Sequence, residues 1–454
     1  MNRKKILKAL VCGALSFSLL TGAGQAATVQ QQTPSYKTVT EVFDWGPAIS
    51  KLVVNLGQKV SSKDIDKDTF KVYVERKLSE GALTFAEGLK YKQGNLSLGA
   101  EARDEKDLVG YREVTAAYVS DANGNKSDSG EFVAIEMKVD PTENLGAALN
   151  FDLITSFNNW VTPEYTITLN KNLGKLQAKN FVVDNFKGDI RPVTDKWSYA
   201  HFEGGDRLSL AYAAYEPKKD GNKHPLIIWL HGMGEGGTDS PSLPIMGNKA
   251  NYFAEESIQK YFGGAYVIAP QARTYWMHGY KNFGDGTSIY RNTLMDLIKD
   301  YVAKHSDIDE RKIIIGGDSN GGYMTMLMIR DYPEYFAAAF PTCEGLADNL
   351  ISDADIQALS HTPTWFIASK TDTILPPKDY SVPTVERLKK IGAPVYFSYL
   401  DNVTDKTGLY KKADGSPYEY MGHWVWIPLY NDEVEGNVGG KNIKLFEWLA
   451  QQVR

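Results

Sequence analysis

Two cysteines occur in 454 residues, Cys12 and Cys343. Cys12 lies in an N-terminal apolar segment, so a chain without that segment keeps one cysteine and no intramolecular disulfide. CxxC and HExxH spacings are missing, which excludes the common structural-zinc and zincin patterns, and no metal is expected. The G-K-[ST] of a phosphate-binding loop is missing too. Basic residues are not in excess: 50 Lys and Arg stand against 56 Asp and Glu, a formal net charge of −6. Such a chain repels nucleic acid and anionic membrane surfaces, so neither is expected as a partner. Beyond the N-terminus no apolar run approaches the roughly 20 residues that cross a bilayer. There is no internal repeat and no low-complexity tract. What remains is 43% hydrophobic and 23% charged, enough apolar material for a sizeable core and too much for a disordered chain. The length predicts two or three compact units.

The N-terminus is a different kind of sequence. Arg3, Lys4, Lys5 and Lys8 precede an apolar stretch over 9–20, and Gly24-Gln25-Ala26-Ala27 forms an A-x-A-like cleavage zone. This predicts a secretory signal peptide over 1–27 and a secreted mature chain. Its removal takes away four positive charges and no negative ones, moving the formal charge from −6 to −10.

Residues 36–180 read as an all-β domain. Short alternating runs at 38–43, 51–56, 70–74, 112–120, 132–139 and 165–169 are separated by turn signals, among them the hairpin dipeptide Asn123-Gly124. That spacing predicts an immunoglobulin-like sandwich. The loop Asp121-Ala122-Asn123-Gly124-Asn125 resembles a calcium loop only briefly. Lys126 stands where the sharp-turn glycine belongs and Phe132 where the bidentate glutamate belongs, so a hairpin is the better reading. From 187 to 454 the pattern changes. Buried-strand runs at 226–230, 265–269, 312–315, 337–340, 364–368 and 395–399 alternate with helix-length segments at 293–304, 323–331, 385–391 and 443–452. Strands alternating with helices predict an α/β domain, a mainly parallel sheet flanked by helices.

Gly317-Asp318-Ser319-Asn320-Gly321 is a G-x-S-x-G placed between a short apolar strand and a helical run. Strand, tight turn and helix are what a nucleophile elbow requires, with both glycines avoiding clashes against the neighbouring strand and helix. A serine hydroxyl needs a base, and in an α/β-hydrolase the order is serine, acid, histidine. Of seven histidines only His361 and His423 follow Ser319. His361 directly precedes the strand 364–368 and so falls at the wrong end of the sheet, which leaves His423 as the base. Asp372, just past that strand, is the expected acid, with Asp401 after 395–399 as the alternative. Asp318 lies too near the serine to orient the base. Oxyanion donors are expected from the amide of Asn320 and from the glycine-rich loop His231-Gly232-Met233-Gly234-Glu235-Gly236-Gly237, with Met233 first and Gly234 second. Trp276 and Gly234 are candidate substrate-binding residues, against the plain alternatives of core tryptophan and loop glycine. The chemistry calls for no cofactor.

These pieces together resemble the bacterial carboxylesterases related to the prolyl oligopeptidase catalytic domain. The quoted motifs are His231-Gly232-Met233-Gly234, Gly317-Asp318-Ser319-Asn320-Gly321-Gly322, Thr371-Asp372-Thr373-Ile374-Leu375-Pro376-Pro377 and Gly422-His423-Trp424-Val425-Trp426. The segment beginning Thr40-Glu41-Val42-Phe43-Asp44-Trp45-Gly46-Pro47 is similar to the immunoglobulin-like domain fused to some of these esterases. The resemblance implies an α/β-hydrolase fold and ester hydrolysis through an acyl-enzyme, with Ser319, Asp372 and His423 in the matching positions. The substrate would be a small-molecule or polymer-borne ester, feruloyl, acetyl and polyester substrates included. A peptidase of prolyl oligopeptidase type is the alternative, although about 150 β-rich residues stand where such enzymes carry a far longer propeller. A third reading makes the β-domain the functional module and the hydrolase silent. The β-domain itself has three roles open to it: positioning the catalytic domain, self-association into a homo-oligomer, or covering part of the site.

Overall fold

The computed structural model describes residues 33–77, 108–152, 155–238 and 241–454. The segment read as an export signal lies outside them. Alternation sets the first domain: along Phe70–Lys77, Phe70, Val72, Val74 and Arg76 turn inward while Lys71, Glu75 and Lys77 face water. Two sheets pack their apolar faces together around Tyr36, Leu52, Val54, Val72, Val133 and Ile167. One sheet orders Phe186–Ile190, Ser35–Phe43, Gly46–Ser61, Ser129–Met137 and Val114–Ser120. The other orders Val182–Val183, Thr162–Leu169, Phe70–Lys77 and Val109–Arg112. The run 112–120 is therefore not one strand. The chain changes sheet after Arg112, whose buried guanidinium donates to the carbonyls of Ile49 (3.3 Å) and Lys138 (2.7 Å). The first sheet also extends past residue 180, since Phe186–Ile190 pairs in parallel with Ser35–Phe43. Asn123 and Gly124 lie in the hairpin joining Val114–Ser120 to Ser129–Met137.

The second domain is built on eight strands: β1 (Ser198–Glu203), β2 (Ser209–Tyr215), β3 (His224–Leu230), β4 (Tyr266–Gln271), β5 (Ile308–Asp318), β6 (Ala338–Thr342), β7 (Thr364–Ser369) and β8 (Val395–Leu400). Their spatial order is β1-β2-β4-β3-β5-β6-β7-β8, antiparallel at the β1-β2 and β2-β4 pairs and parallel elsewhere. Sequence patterning does not single out β1, the edge strand, or β2 beside it, both of which have partly exposed faces. The central strands are apolar on both faces. Leu226, Ile228 and Leu230 of β3 join one core, and Ile227 and Trp229 join the other. Helices cover both sides, the longest being Arg291–Lys304 and Asn320–Asp331. Among the described residues no helix is long and apolar enough to cross a membrane.

Parallel strands deliver their following loops to one end of the sheet, where open α/β folds place their sites. The first domain meets that end through a hairpin, Leu149–Asp152 paired with Phe157–Trp160. A buried ion pair between Asp44 and Lys249 also ties the domains, and Asn431 hydrogen-bonds both partners.

Candidate active site

Ser319 sits at the turn between β5 and the helix Asn320–Asp331 with φ 54° and ψ −111°. A non-glycine residue in that region stores roughly 1–3 kcal/mol of strain. Neighbouring structure holds it there: its N–H donates to Thr342 O (2.9 Å) and its carbonyl accepts from Tyr323 N–H (2.9 Å). The flanking glycines are sterically required. A Cβ on Gly317 would lie 2.6 Å from Leu230 O, and one on Gly321 would lie 1.9 Å from the same atom. The helix thus starts pressed against the end of β3.

Two backbone amides follow that contact, one on each segment. Leu230 of β3 pairs with Gly317 of β5, and Met233 and Asn320 each stand three residues further on. Met233 opens the short 3-10 turn Met233–Glu235, and Asn320 opens the elbow helix. N–H groups at such first positions have no intrahelical carbonyl to bond. The Asn320 side chain is held by its neighbour: Oδ1 accepts from Trp276 N–H (2.7 Å).

Asp372 and His423 are brought together at the same end of the sheet. His423 Nδ1 lies 2.7 Å from Asp372 Oδ2, and both residues are buried, at 7% and 3% exposure. The other carboxylate oxygen, Oδ1, accepts from the N–H groups of Ile374 (2.8 Å) and Leu375 (3.0 Å). A carboxylate only accepts, so the imidazole proton is on Nδ1 and Nε2 keeps its lone pair. Gly345 lies between the two segments: a Cβ there would be 3.4 Å from the Leu375 side chain and 3.5 Å from the backbone carbonyl oxygen of Ser319. Asp401 does not take part. It pairs with Lys370 at 2.6 Å on the surface with its side chain 83% exposed. His361 is also at the surface, against Glu334. His231 is a structural group: Nε2 accepts from Ala272 N–H (3.0 Å), Nδ1 faces Gly232 O, and burial pushes its pKa down to about 4.

Buried carboxyls surround the elbow, a feature that sequence reading missed. Asn248 Nδ2 bridges Glu235 Oε2 (3.1 Å) and Asp318 Oδ2 (2.8 Å). Burial pushes Glu235 up to about 7, and burial together with Glu235 holds Asp318 well above the usual carboxylate range. Glu344, just past β6, is fully buried and pushed up to about 8, by burial above all. A cleft of 760 Å³ runs along the acid loop, walled by Asp348, Asn349, Ile374, Pro376 and Tyr380.

Two expectations are corrected. Trp276 is not a pocket wall: it is 0% exposed, its ring packed against His231 (5.2 Å) and Tyr290 (5.9 Å). Its backbone, not its indole, touches the site, through Asn320. Gly234 does not present open space to a substrate either. A Cβ there would lie 2.3 Å from Asn158 Nδ2, so a residue of the first domain fills that side.

Residues 35–181 match the family described as the esterase Ig-like N-terminal domain, and residues 288–395 match the prolyl oligopeptidase family. No curated protein matches the chain. A thermostable esterase of known structure shares the fold across both domains, with a TM-score of 0.66 at 22% identity over 92% of this chain and 100% of its own. Weaker likenesses include the Pyrococcus horikoshii acylaminoacyl peptidase (16% identity, TM-score 0.36, 52% of this chain and 40% of that one). A ferulic acid esterase is similar at 15% identity (TM-score 0.37, 45% of this chain and 90% of that one). With an elbow serine and a buried acid–histidine pair at one end of its sheet, the chain is a serine hydrolase, an α/β-hydrolase domain whose residues 288–395 are similar to the prolyl oligopeptidase family, preceded by an immunoglobulin-like domain.

Proposed function

We propose that this protein is an exported carboxylesterase working through an acyl-enzyme on Ser319. The observation that carries the reading is the hydrogen bond between His423 and Asp372, 2.7 Å long, on loops at the same sheet end as the strained serine. In the first half-reaction Ser319 Oγ attacks the ester carbonyl while His423 Nε2 takes its proton. The carbonyl oxygen becomes an anion resting on the N–H groups of Met233 and Asn320, and Asp372 stabilises the imidazolium. Collapse breaks the bond to the alcohol, which leaves with the proton from His423. Water then repeats the sequence on the acyl-enzyme, releasing the acid and restoring Ser319.

An ester substrate, small or polymer-borne, is favoured over a peptide by the domain in front, whose family is described by its occurrence in esterases.

A fluorophosphonate is expected to place one adduct per chain, on the peptide carrying Ser319, by mass spectrometry. The same preparation is expected to turn over p-nitrophenyl acetate and to leave acylaminoacyl and prolyl peptide amides intact. An adduct on another residue sinks the mechanism; efficient amide cleavage replaces esterase by peptidase. Export is supported by Arg3, Lys4, Lys5 and Lys8 ahead of an apolar run and a small-residue zone ending at Ala27. Protein recovered from the medium should begin near residue 28, and a cell-retained chain still carrying residues 1–27 speaks against it.

A further inference from the structure

The hairpin of the immunoglobulin-like domain touches the catalytic domain where the amide donors are set. Asn158 Nδ2 donates to Glu235 Oε1 at 2.6 Å. Glu235 is the last residue of the turn that Met233 begins, and its backbone carbonyl accepts from Gln271 Nε2 (2.9 Å). Its second carboxyl oxygen takes the Asn248 amide, which reaches on to Asp318 beside the serine. The Asn158 amide also occupies the space above Gly234. Phe157 packs on the same loop, 2.8 Å from where a Cβ of Gly236 would stand, and its ring lies 5.1 Å from that of Tyr275. The Tyr275 hydroxyl donates to Thr155 O on the hairpin, and the next residue, Trp276, holds Asn320. Both segments that carry or brace the amide donors are therefore backed by one hairpin of the other domain.

We propose that Asn158 is a positioning residue for hydrolysis, acting through Glu235 to hold the Met233 amide where the oxyanion forms, so that the immunoglobulin-like domain completes the active site. The proposal rests on the reading of Met233 as an oxyanion donor. A donor displaced by a fraction of an ångström loses much of its effect on a transition state and little of its effect on a bound ester. The signature is a fall in kcat with KM nearly unchanged.

The test uses the full chain, p-nitrophenyl acetate as substrate and fluorophosphonate titration to count active sites. Asn158→Ala is expected to lower kcat about 10-fold, within the reach of a misplaced catalytic group. Asn158→Asp sets a carboxylate against Glu235 and is expected to lower it about 100-fold at pH 8. Rescue then separates positioning from mere packing. In Glu235→Gln the side-chain oxygen must face the Asn248 amide, so its NH₂ points at position 158. Alone this substitution is expected to be mild, since the Asn158 amide can turn over to accept. Combined with Asn158→Asp it restores a donor–acceptor pair of reversed polarity, and kcat is expected to return to within about 3-fold of the Glu235→Gln parent. Wild-type kcat in Asn158→Ala, or a folded double variant no faster than Asn158→Asp, overturns the proposal. If Asn158→Asp does not fold, kcat and KM of Asn158→Ala decide, and a rise in KM alone counts against it. Should the unsubstituted chain fail to label at Ser319, the acyl-enzyme reading falls instead.

Discussion

Asp372→Asn is expected to lower kcat about 10⁴-fold on p-nitrophenyl acetate while KM and thermal stability change little. Size does not explain the effect, because the two side chains are nearly isosteric. Two backbone donors, Ile374 N–H and Leu375 N–H, point at Oδ1. The amide oxygen of an asparagine must take that place, since an NH₂ there would face two further donors. The NH₂ is then forced toward His423 Nδ1, where the carboxylate oxygen stands at 2.7 Å. A donor at that spot makes Nδ1 the acceptor and moves the imidazole proton to Nε2, the nitrogen that must receive the serine proton. The base is blocked by its own hydrogen. Asp401→Asn serves as the matched control. Its side chain is exposed and pairs with Lys370 alone, so kcat should stay within about 2-fold of wild type. Equal losses in both variants, or a large loss only in Asp401→Asn, would move the acid to the other strand end.

That comparison also shows what was legible in the sequence. Asp372 and Asp401 both follow late strands, and pattern alone left both open. Packing separates them. Gly422, next to the histidine, could carry no side chain without meeting Thr371 at 2.4 Å, so the base loop is moulded onto the acid loop that holds Asp372. A glycine directly before His423 was the one readable trace of that fit. The elbow was readable because its requirements are local: an apolar strand, two glycines around the serine and a helical run, all within 20 residues.

Features built from distant segments were not readable. Asn158 and Glu235 are 77 residues apart and in different domains, and neither type in its local context announces the other. Trp276 follows a strand that ends at the active-site face, yet backbone geometry turns its indole into the core and sends only its N–H to Asn320. Likewise Arg112 reads as the start of a strand. Its burial between the sheets, donating to carbonyls of both flanking segments, makes it the point where the chain changes sheet.

Glu344→Gln is expected to stabilise the folded protein at pH 8 and to do almost nothing at pH 5. Glu344 lies against the elbow helix, where a Cβ on Gly322 would be 2.9 Å from its own Cβ. One carboxyl oxygen accepts from Leu346 N–H (2.7 Å), and the other is buried with no partner. Burial is the main cause that raises its pKa from 4.5 to about 8, and the Asp348 charge adds to it. The folded protein therefore keeps a proton that the unfolded chain releases. Below about pH 4.5 both states hold it and the group is neutral toward stability. Between 4.5 and 8 only the unfolded state loses it, so folding weakens by about 1.4 kcal/mol per pH unit, several kcal/mol in all at the upper end. A glutamine carries no such titration. Its oxygen can take the Leu346 N–H and its NH₂ can replace the buried hydroxyl of the protonated acid. In urea unfolding the gap between variant and wild type should be near zero at pH 5 and reach about 2–4 kcal/mol by pH 8. Glu235 and Asp318 are also shifted upward and weaken folding over the same range. Both are present in the two proteins, so their contributions cancel from the gap. A gap that stays constant with pH, or that grows toward acid, would mean that Glu344 is ionised in the folded protein and that a partner for its second oxygen exists.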